Sequence, residues 1–450
     1  MELTTSIHHI TTAAIATMAL ATAASTTATA QSEWTIDDCM RYAAEHAHTV
    51  RQAELTEDNY RAARRSAIGA FLPKLQATGD LQLSSGRTID NETNTYGNYS
   101  QLYNYYGLSA SLTLFSGGQL INNLREANRK RDMGRSALAA AQDQTAIDVL
   151  EACVDVLYYE GLVEVSRTKL ATSDSIHHQT IRYAELGLKS EADAAQTAQQ
   201  VAADKYDLTH NEGLLATAQI NLRHLMQLPD TTYFSLSKPE DPQPTAEPQD
   251  ANQIYDEASA TNHTVAEARL SSEAAAYAHK SARGDLMPTL TLYAGISSNY
   301  YKYLNVDYEV SSFAQQMKGH RGQYVTAELV IPIFSGFSHS STVRQRRNDL
   351  EIAEDKYRQA LDDLRKQIVQ AIVDCQNAEA DLEQLTAKVE ADSIAYNTIR
   401  RQFEEGLNDP LELHTAANTL ATSQASLLQG ELTLLAKRRY LEYLHSGQLY

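Results

Sequence analysis

Ser66-Ala-Ile-Gly-Ala-Phe-Leu-Pro-Lys-Leu75 returns 215 residues later as Ser281-Ala-Arg-Gly-Asp-Leu-Met-Pro-Thr-Leu290. The same offset pairs His48-Thr49-Val50 with His263-Thr264-Val265, Leu55 with Leu270 and Ala63 with Ala278. Downstream the offset becomes 219, aligning Phe115-Ser116-Gly117 with Phe334-Ser335-Gly336, Arg182 with Arg401, and Gly187-Leu188 with Gly406-Leu407. The change of four falls between Leu75 and Phe115, where an insertion is tolerated. A chain of 450 residues would ordinarily divide into about three domains, but an internal duplication makes the half-chain the natural unit.

Each half reads the same way. Trp34 to Ala70 has helical apolar spacing (Ile36, Met40, Ala43, Ala44), and Pro73 ends it. The period then changes to two: Leu75, Ala77, Gly79, Leu81 and Leu83 alternate with Gln76, Thr78, Asp80 and Gln82. After a polar segment, Ser84 to Gln101, alternation resumes at Tyr106, Leu108, Ala110, Leu112 and Leu114, predicting a hairpin with a long loop. The second half predicts another, with Leu290, Leu292, Ala294 and Ile296 followed, after Ser297 to Arg321, by Ala327, Leu329, Ile331 and Ile333. Eleven of the 25 tyrosines fall in these hairpins, the placement an interfacial aromatic belt requires.

From Gln119 to Tyr183 there is no proline, so a helix roughly 100 Å long is expected at ~1.5 Å per residue. Its counterpart, Ser338 to Phe403, carries apolar residues three and four apart from Leu350 to Ile399, a row that demands packing along its whole length. Gly187 and Gly406 mark the breaks after which a second helix returns. Five of the nine prolines lie between 229 and 248. The expected organisation is therefore a signal peptide at 1–30, a first repeat at 31–228 (hairpin about 74–115, turn about 187), a Pro-rich linker at 229–250, and a second repeat at 251–450 (hairpin about 289–334, turn about 406).

Composition narrows the function. A net charge of −19 argues against a nucleic-acid partner, whose phosphates call for an excess of Lys and Arg. The Ala- and Thr-rich leader ends in Ala28-Thr29-Ala30, a small-x-small cleavage pattern, although Met1 to Ile10 lacks the usual Lys or Arg. Cys39, Cys153 and Cys375 show no metal-ligand spacing; buried small side chains are expected rather than a disulfide framework. His177-His178 are adjacent on a helix and diverge by about 100°, which disfavours a shared ion. No catalytic set, phosphate loop or metal motif appears, so neither an enzyme nor a cofactor is expected. After residue 30 no apolar run is long enough for a transmembrane helix, so membrane insertion would have to use strands.

Two strands, a very long helix, a tight break and a returning helix, all repeated, resemble the TolC-type outer-membrane efflux channels. The resemblance rests on the Leu-Pro-x-Leu stretch leading into each hairpin (Pro73, with Pro288 in a Met-Pro-Thr-Leu variant), the Phe-Ser-Gly exits ending at Gly117 and Gly336, and the Gly-Leu turns. It implies mixed α and β structure: long antiparallel helical hairpins forming a periplasmic α-barrel, and a four-stranded contribution to a shared transmembrane β-barrel. It also implies a homotrimer in outer-membrane lipid, working with a periplasmic adaptor protein and an inner-membrane transporter. Independently of it, four strands cannot close a barrel, and open edges in lipid strand backbone groups at several kcal/mol each. Two copies would give eight strands and three would give twelve; the resemblance points to three.

In TolC-type channels the turn end is the constriction, where acidic rings meet cations and a Tyr and an Arg on the second turn lock it. By position these fall on Phe403 and Asn408, and both departures remove polar groups. Gly187, Ser190 and Asp193 in the first turn correspond to Gly406, Asp409 and Glu412 in the second. Ser190-x-x-Asp193 and Asp409-Pro410-Leu411-Glu412 also read as N-caps, so capping alone and an added ion-filtering role both stand. The expected function is a passive outer-membrane exit duct of a tripartite efflux or secretion system. The alternative is a periplasmic coiled-coil scaffold without channel activity.

Overall fold

The computed structural model describes residues 32–89, 94–229, 234–238, 250–306 and 310–449. The expected signal peptide and most of the expected linker lie outside the described residues. Elements run β1 (Ser32–Trp34), α1 (Ile36–His46), α2 (His48–Gly69), β2 (Lys74–Ile89), β3 (Tyr96–Ser116), α3 (Gln119–Glu185), α4 (Glu191–Met226), β4 (Phe234–Leu236), α5 (Ala251–Thr261), α6 (His263–Gly284), β5 (Thr289–Tyr303), α7 (Phe313–Gly319), β6 (Gly322–Val330), α8 (Ser338–Glu404) and α9 (Pro410–Ser446). Residues 51–141 and 255–367 form one compact unit; the remaining described residues form a second. The long helices α3 and α8, each 67 residues, contribute to both units.

The first unit holds an antiparallel sheet in the order β2-β3-β5-β6. Its register brings the predicted apolar positions into cross-strand rows. Leu75 lies opposite Ala110, Ala110 opposite Ala294 and Ala294 opposite Val325; the next row runs Ala77, Leu108, Ile296 and Gln323. Because side chains alternate faces, the polar rows Lys74-Ser111-Tyr293-Thr326 and Thr113-Thr291-Glu328 share the opposite face. The apolar face is left uncovered, with Leu75 at 73% and Val325 at 75% exposure. β2 and β6 each pair on one side only.

Three strand expectations need correction. The polar segment Ser84 to Gln101 is not a long loop: β2 continues to Ile89 and β3 starts at Tyr96, with Ser85 Oγ and Ser100 Oγ 2.8 Å apart across the ladder. Backbone pairing sustains a strand after the apolar alternation stops. At the other end β6 stops at Val330, so Ile331 and Ile333 lie beyond it, next to Pro332, which has no N–H to give a ladder. Most of the tyrosines do not sit where a lipid-facing belt needs them. The register places Tyr99, Tyr103, Tyr105, Tyr293, Tyr301, Tyr303 and Tyr324 on the polar face, against Tyr96, Tyr106 and Tyr300 on the apolar face. Adjacent tyrosines such as Tyr105-Tyr106 and Tyr300-Tyr301 must split between faces; Tyr308 lies outside the described residues.

β5 outruns β6, and α7 covers the excess. Gln316, buried, accepts from the Tyr301 backbone N–H at 3.0 Å and donates to the Tyr301 carbonyl at 3.0 Å, so its side-chain amide stands in for a neighbouring strand. Ser298 Oγ donates to the Met317 carbonyl, and His320 Nδ1 lies 2.9 Å from the Asn299 carbonyl. Tyr301 is buried there with its ring stacked on His320, and Tyr303 is buried with its ring against those of Tyr99 and Tyr301.

The second unit is helical. Its core gathers Cys39 and Met40 of α1, Val149, Cys153 and Val156 of α3, Leu222 and Met226 of α4, and Leu432 of α9. The single helix expected over Trp34 to Ala70 is two helices after a strand. Thr35 starts α1 through a capping box with Asp38, while Trp34 pairs with Leu236 of β4 in a two-stranded parallel sheet. Ala47, extended at φ −62° and ψ 144°, separates α1 from α2, and Asn262 makes a similar break between α5 and α6 at φ −61° and ψ 122°.

Candidate functional site

Both helix turns close in the same way. Gly187 (φ 74°) follows α3, with Leu188 N–H donating to the Tyr183 carbonyl at 2.8 Å. Gly406 (φ 75°) follows α8, with Leu407 N–H donating to the Gln402 carbonyl at 2.8 Å. A positive φ is the conformation glycine adopts without steric cost.

The returning helices are capped differently. Ser190 accepts from Asp193 N–H at 3.1 Å, and Asp193 Oδ2 accepts from Ser190 N–H at 2.9 Å, a complete capping box. These bonds hold the Asp193 carboxyl below the usual carboxylate range. In the second turn Asp409 Oδ1 accepts from Leu411 N–H at 3.1 Å and Pro410 occupies the first helical position, so Asp409 is the cap. Glu412 is exposed, and no hydrogen bond or ion pair holds its carboxylate among the described residues. It lines an open cleft of about 470 Å³ with Asp392, Ile399, Asp409, Leu411 and Thr415.

Phe403 and Asn408, the two positions that depart from the TolC-type lock, have separate roles. Phe403 is 2% exposed and packs with Ile176 and Leu413, backed by Tyr396 and Ile399, so it joins α3, α8 and α9. Asn408 donates to Gln402 Oε1 at 3.0 Å, tying the turn to its own helix.

A buried polar cluster sits on the same helices and escaped the sequence reading. Lys169 Nζ lies 2.9 Å from Asp204 Oδ1 and 3.1 Å from Asp207 Oδ2. Ser173 Oγ donates to Asp204 Oδ2, and Gln200 donates to Asp204 Oδ1 at 2.9 Å. Burial alone would lower Lys169, but its bonds to Asp204 and Asp207 outweigh it and leave the ammonium raised. His414 of α9 senses both charges, and its buried Nε2 has no hydrogen-bond partner. Burial pushes His414 below the ordinary histidine range, against the pull of Asp204 and with the push of Lys169. Polar residues at helix-core spacing were the available signal.

In the sheet unit, Pro73 and Pro288 immediately precede β2 and β5. Gly117 (φ 61°) follows β3 where a Cβ would meet Met287 Cβ at 2.5 Å and the Gly284 carbonyl at 2.6 Å, so the chain passes too closely for a side chain. Gly336 (φ 60°) has open space around it, and the next residue, Phe337, also has a positive φ (66°). His177 and His178 hold separate partners, Thr197 and Asp174. Among the described residues no group of acids, His and Cys could hold a metal ion, and no helix is long and apolar enough to cross a membrane.

Comparison with known proteins agrees with this geometry. Outer membrane efflux protein BepC of Brucella suis biovar 1 (strain 1330) is 23% identical over 380 residues, covering 81% of this chain and 75% of that relative. The solved channel CusC superposes with a TM-score of 0.77 at 16% identity, covering 92% of each chain. VceC from Vibrio cholerae gives 0.75 at 14% identity, covering 92% of this chain and 97% of that one. These structures share the fold. The family described as outer membrane efflux protein matches residues 39–226 and 254–444. Two helical hairpins with glycine turns, an open sheet with one uncovered apolar face, and that match over most of the sequence place this chain in the outer membrane efflux protein family, whose members are transport channels rather than enzymes.

Proposed function

We propose that the chain is the outer-membrane exit duct of a tripartite efflux or secretion system, acting as a homotrimer. One observation carries the reading: a four-stranded sheet presents an exposed, largely apolar face, and its outer strands β2 and β6 have no further strand beside them among the described residues. An uncovered face of this kind marks an interaction surface. Lipid is a fitting occupant for the face, and further strands for the edges. In three copies, twelve strands close a barrel wide enough for a passage, with the polar face as its lining. The two halves are read as internal repeats, each giving the barrel one hairpin and the periplasmic assembly one helix pair. At ~1.5 Å per residue the 67-residue helices measure roughly 100 Å, a span suited to crossing a periplasmic space.

The duct is passive. Energy and cargo selection belong to an inner-membrane transporter, reached through an adaptor that contacts the turn end at Gly187 and Gly406. The cleft beside Asp409 and Glu412 is a suitable adaptor seat. With Phe403 in the core and Asn408 bonded to its own helix, the closed state is held by helix packing rather than by a polar lock. Ser190 and Asp193 cap, while Glu412 is free to form an acidic ring.

Purified protein inserted into planar bilayers should give discrete conductance steps and should require detergent to remain dispersed. A monodisperse, detergent-free oligomer without conductance would favour the periplasmic scaffold instead.

A further inference from the structure

The three cysteines look unpaired by number, yet two of them meet. Cys39 of α1 and Cys153 of α3 are both fully buried in the same core, near enough for the Cys39 thiol to bear on that of Cys153. They are 114 positions apart, so nothing in their spacing announces the contact. Met40, Val149, Val156, Leu222 and Met226 share their core. Cys375 packs between α8 and α9 beside Asp374, Glu379, Lys437 and Arg438, and has no thiol left to pair with.

We propose that Cys39 and Cys153 form an intramolecular disulfide that ties the first helix to the long helix α3, leaving Cys375 as the chain's single thiol. The inference rests on the duct reading, because that reading puts the helical unit in the oxidising periplasm, where disulfides form and persist. A disulfide needs the two Cβ atoms about 3.8 Å apart and the sulfurs at about 2.05 Å, and two neighbouring side chains of one core are the pair in this chain placed to meet that requirement. The oxidant is the protein disulfide of a periplasmic dithiol oxidoreductase. One cysteine thiolate attacks a sulfur of that disulfide and forms a mixed disulfide. The second thiolate then attacks the substrate sulfur and releases the oxidoreductase as a dithiol. The chain loses two protons and two electrons, and the oxidoreductase gains them.

The exchange precedes final packing. Once the core closes, neither thiol is exposed, and the neighbouring Cys39 thiol together with burial pushes the Cys153 thiol far up, so the attacking thiolate is suppressed. The bond closes a loop containing the whole first hairpin, and long loops restrict the unfolded chain most.

Thiol counting on the full-length protein tests this. Cells are quenched in acid, the outer-membrane fraction is denatured with N-ethylmaleimide, and the intact mass is read with and without prior reduction. One adduct without reductant and three after it are expected, with a linked peptide pair containing Cys39 and Cys153. Cys39→Ala and Cys153→Ala should each show two adducts without reductant. Three adducts on unreduced protein from the outer membrane would overturn the disulfide and leave the duct standing. Recovery in the cytosolic fraction with three adducts would overturn both.

Discussion

His414 shows how one buried side chain can make this chain sensitive to pH. It faces Asp204 and Lys169 across the cluster, and burial keeps its folded-state pKa below the ordinary value. In the unfolded chain it takes up a proton near pH 6.5, whereas in the folded chain it resists doing so. The unfolded state therefore binds more protons as pH falls below about 6.5, and stability drops until the folded pKa is also passed. His414→Leu, which cannot titrate, should remove this part of the acid sensitivity in thermal unfolding of the purified assembly between pH 7.5 and 5. Parallel pH dependence in wild type and variant would show that His414 takes up its proton equally in both states and contributes nothing to the acid sensitivity. Glu412 is the complementary case, because its carboxylate has no partner among the described residues and the cap belongs to Asp409. Glu412→Gln should leave stability within about 0.5 kcal/mol, as for an unremarkable surface change. In single-channel recordings it should reduce cation block or cation preference; unchanged selectivity would remove Glu412 from the proposed ring.

At the level of the elements, the sheet makes two predictions. Leu83→Lys and Leu112→Lys place charge on the apolar face and should each cost about 2–4 kcal/mol near a bilayer midplane, read as lost membrane assembly. Thr113→Lys lies in the row with Thr291 and Glu328 and should assemble. Equal tolerance on both faces would reject the barrel. Gln316→Ala removes the amide that closes the β5 edge and leaves the Tyr301 N–H and carbonyl unpaired, at about 1–3 kcal/mol for each buried group. Its signature should be faster hydrogen exchange at Tyr301, confined to the end of β5. Uniform exchange across the sheet would assign Gln316 a global role. These elements also show what the sequence could disclose. The turns were readable because Gly187, Gly406, Ser190 and Asp409 act within a few residues of themselves. Apolar alternation placed Leu75, Leu108 and Leu292 on one face for the same reason. Strand ends were not readable: Ser85 stays in β2 only because Ser100 lies opposite it. The Gln316 plug, the contact of Cys39 with Cys153 and the cluster of Lys169, Asp204 and His414 each join residues distant in sequence, so no local period records them.

For the whole molecule, the strongest constraint is what one copy leaves unfinished. Among the described residues β2 and β6 have no strand on their outer edges, and in lipid each unpaired backbone group costs several kcal/mol. The helical surface is also incomplete: Ile352, Val369, Val373 and Ile394 of α8 are exposed at 53%, 47%, 46% and 63%. Their sequence separations of 17, 4 and 21 keep them close to a heptad stripe, the pattern of a helix awaiting neighbours. Edge and stripe demand partners at once, in the two units of the same chain, so folding and assembly should be coupled and no stable folded monomer should exist. Light scattering of detergent-purified protein over a hundredfold dilution should show a single trimeric mass, with any smaller species lacking native near-ultraviolet circular dichroism. A monodisperse monomer with native dichroism would mean that the edges are satisfied within one chain, and the shared barrel would have to be abandoned.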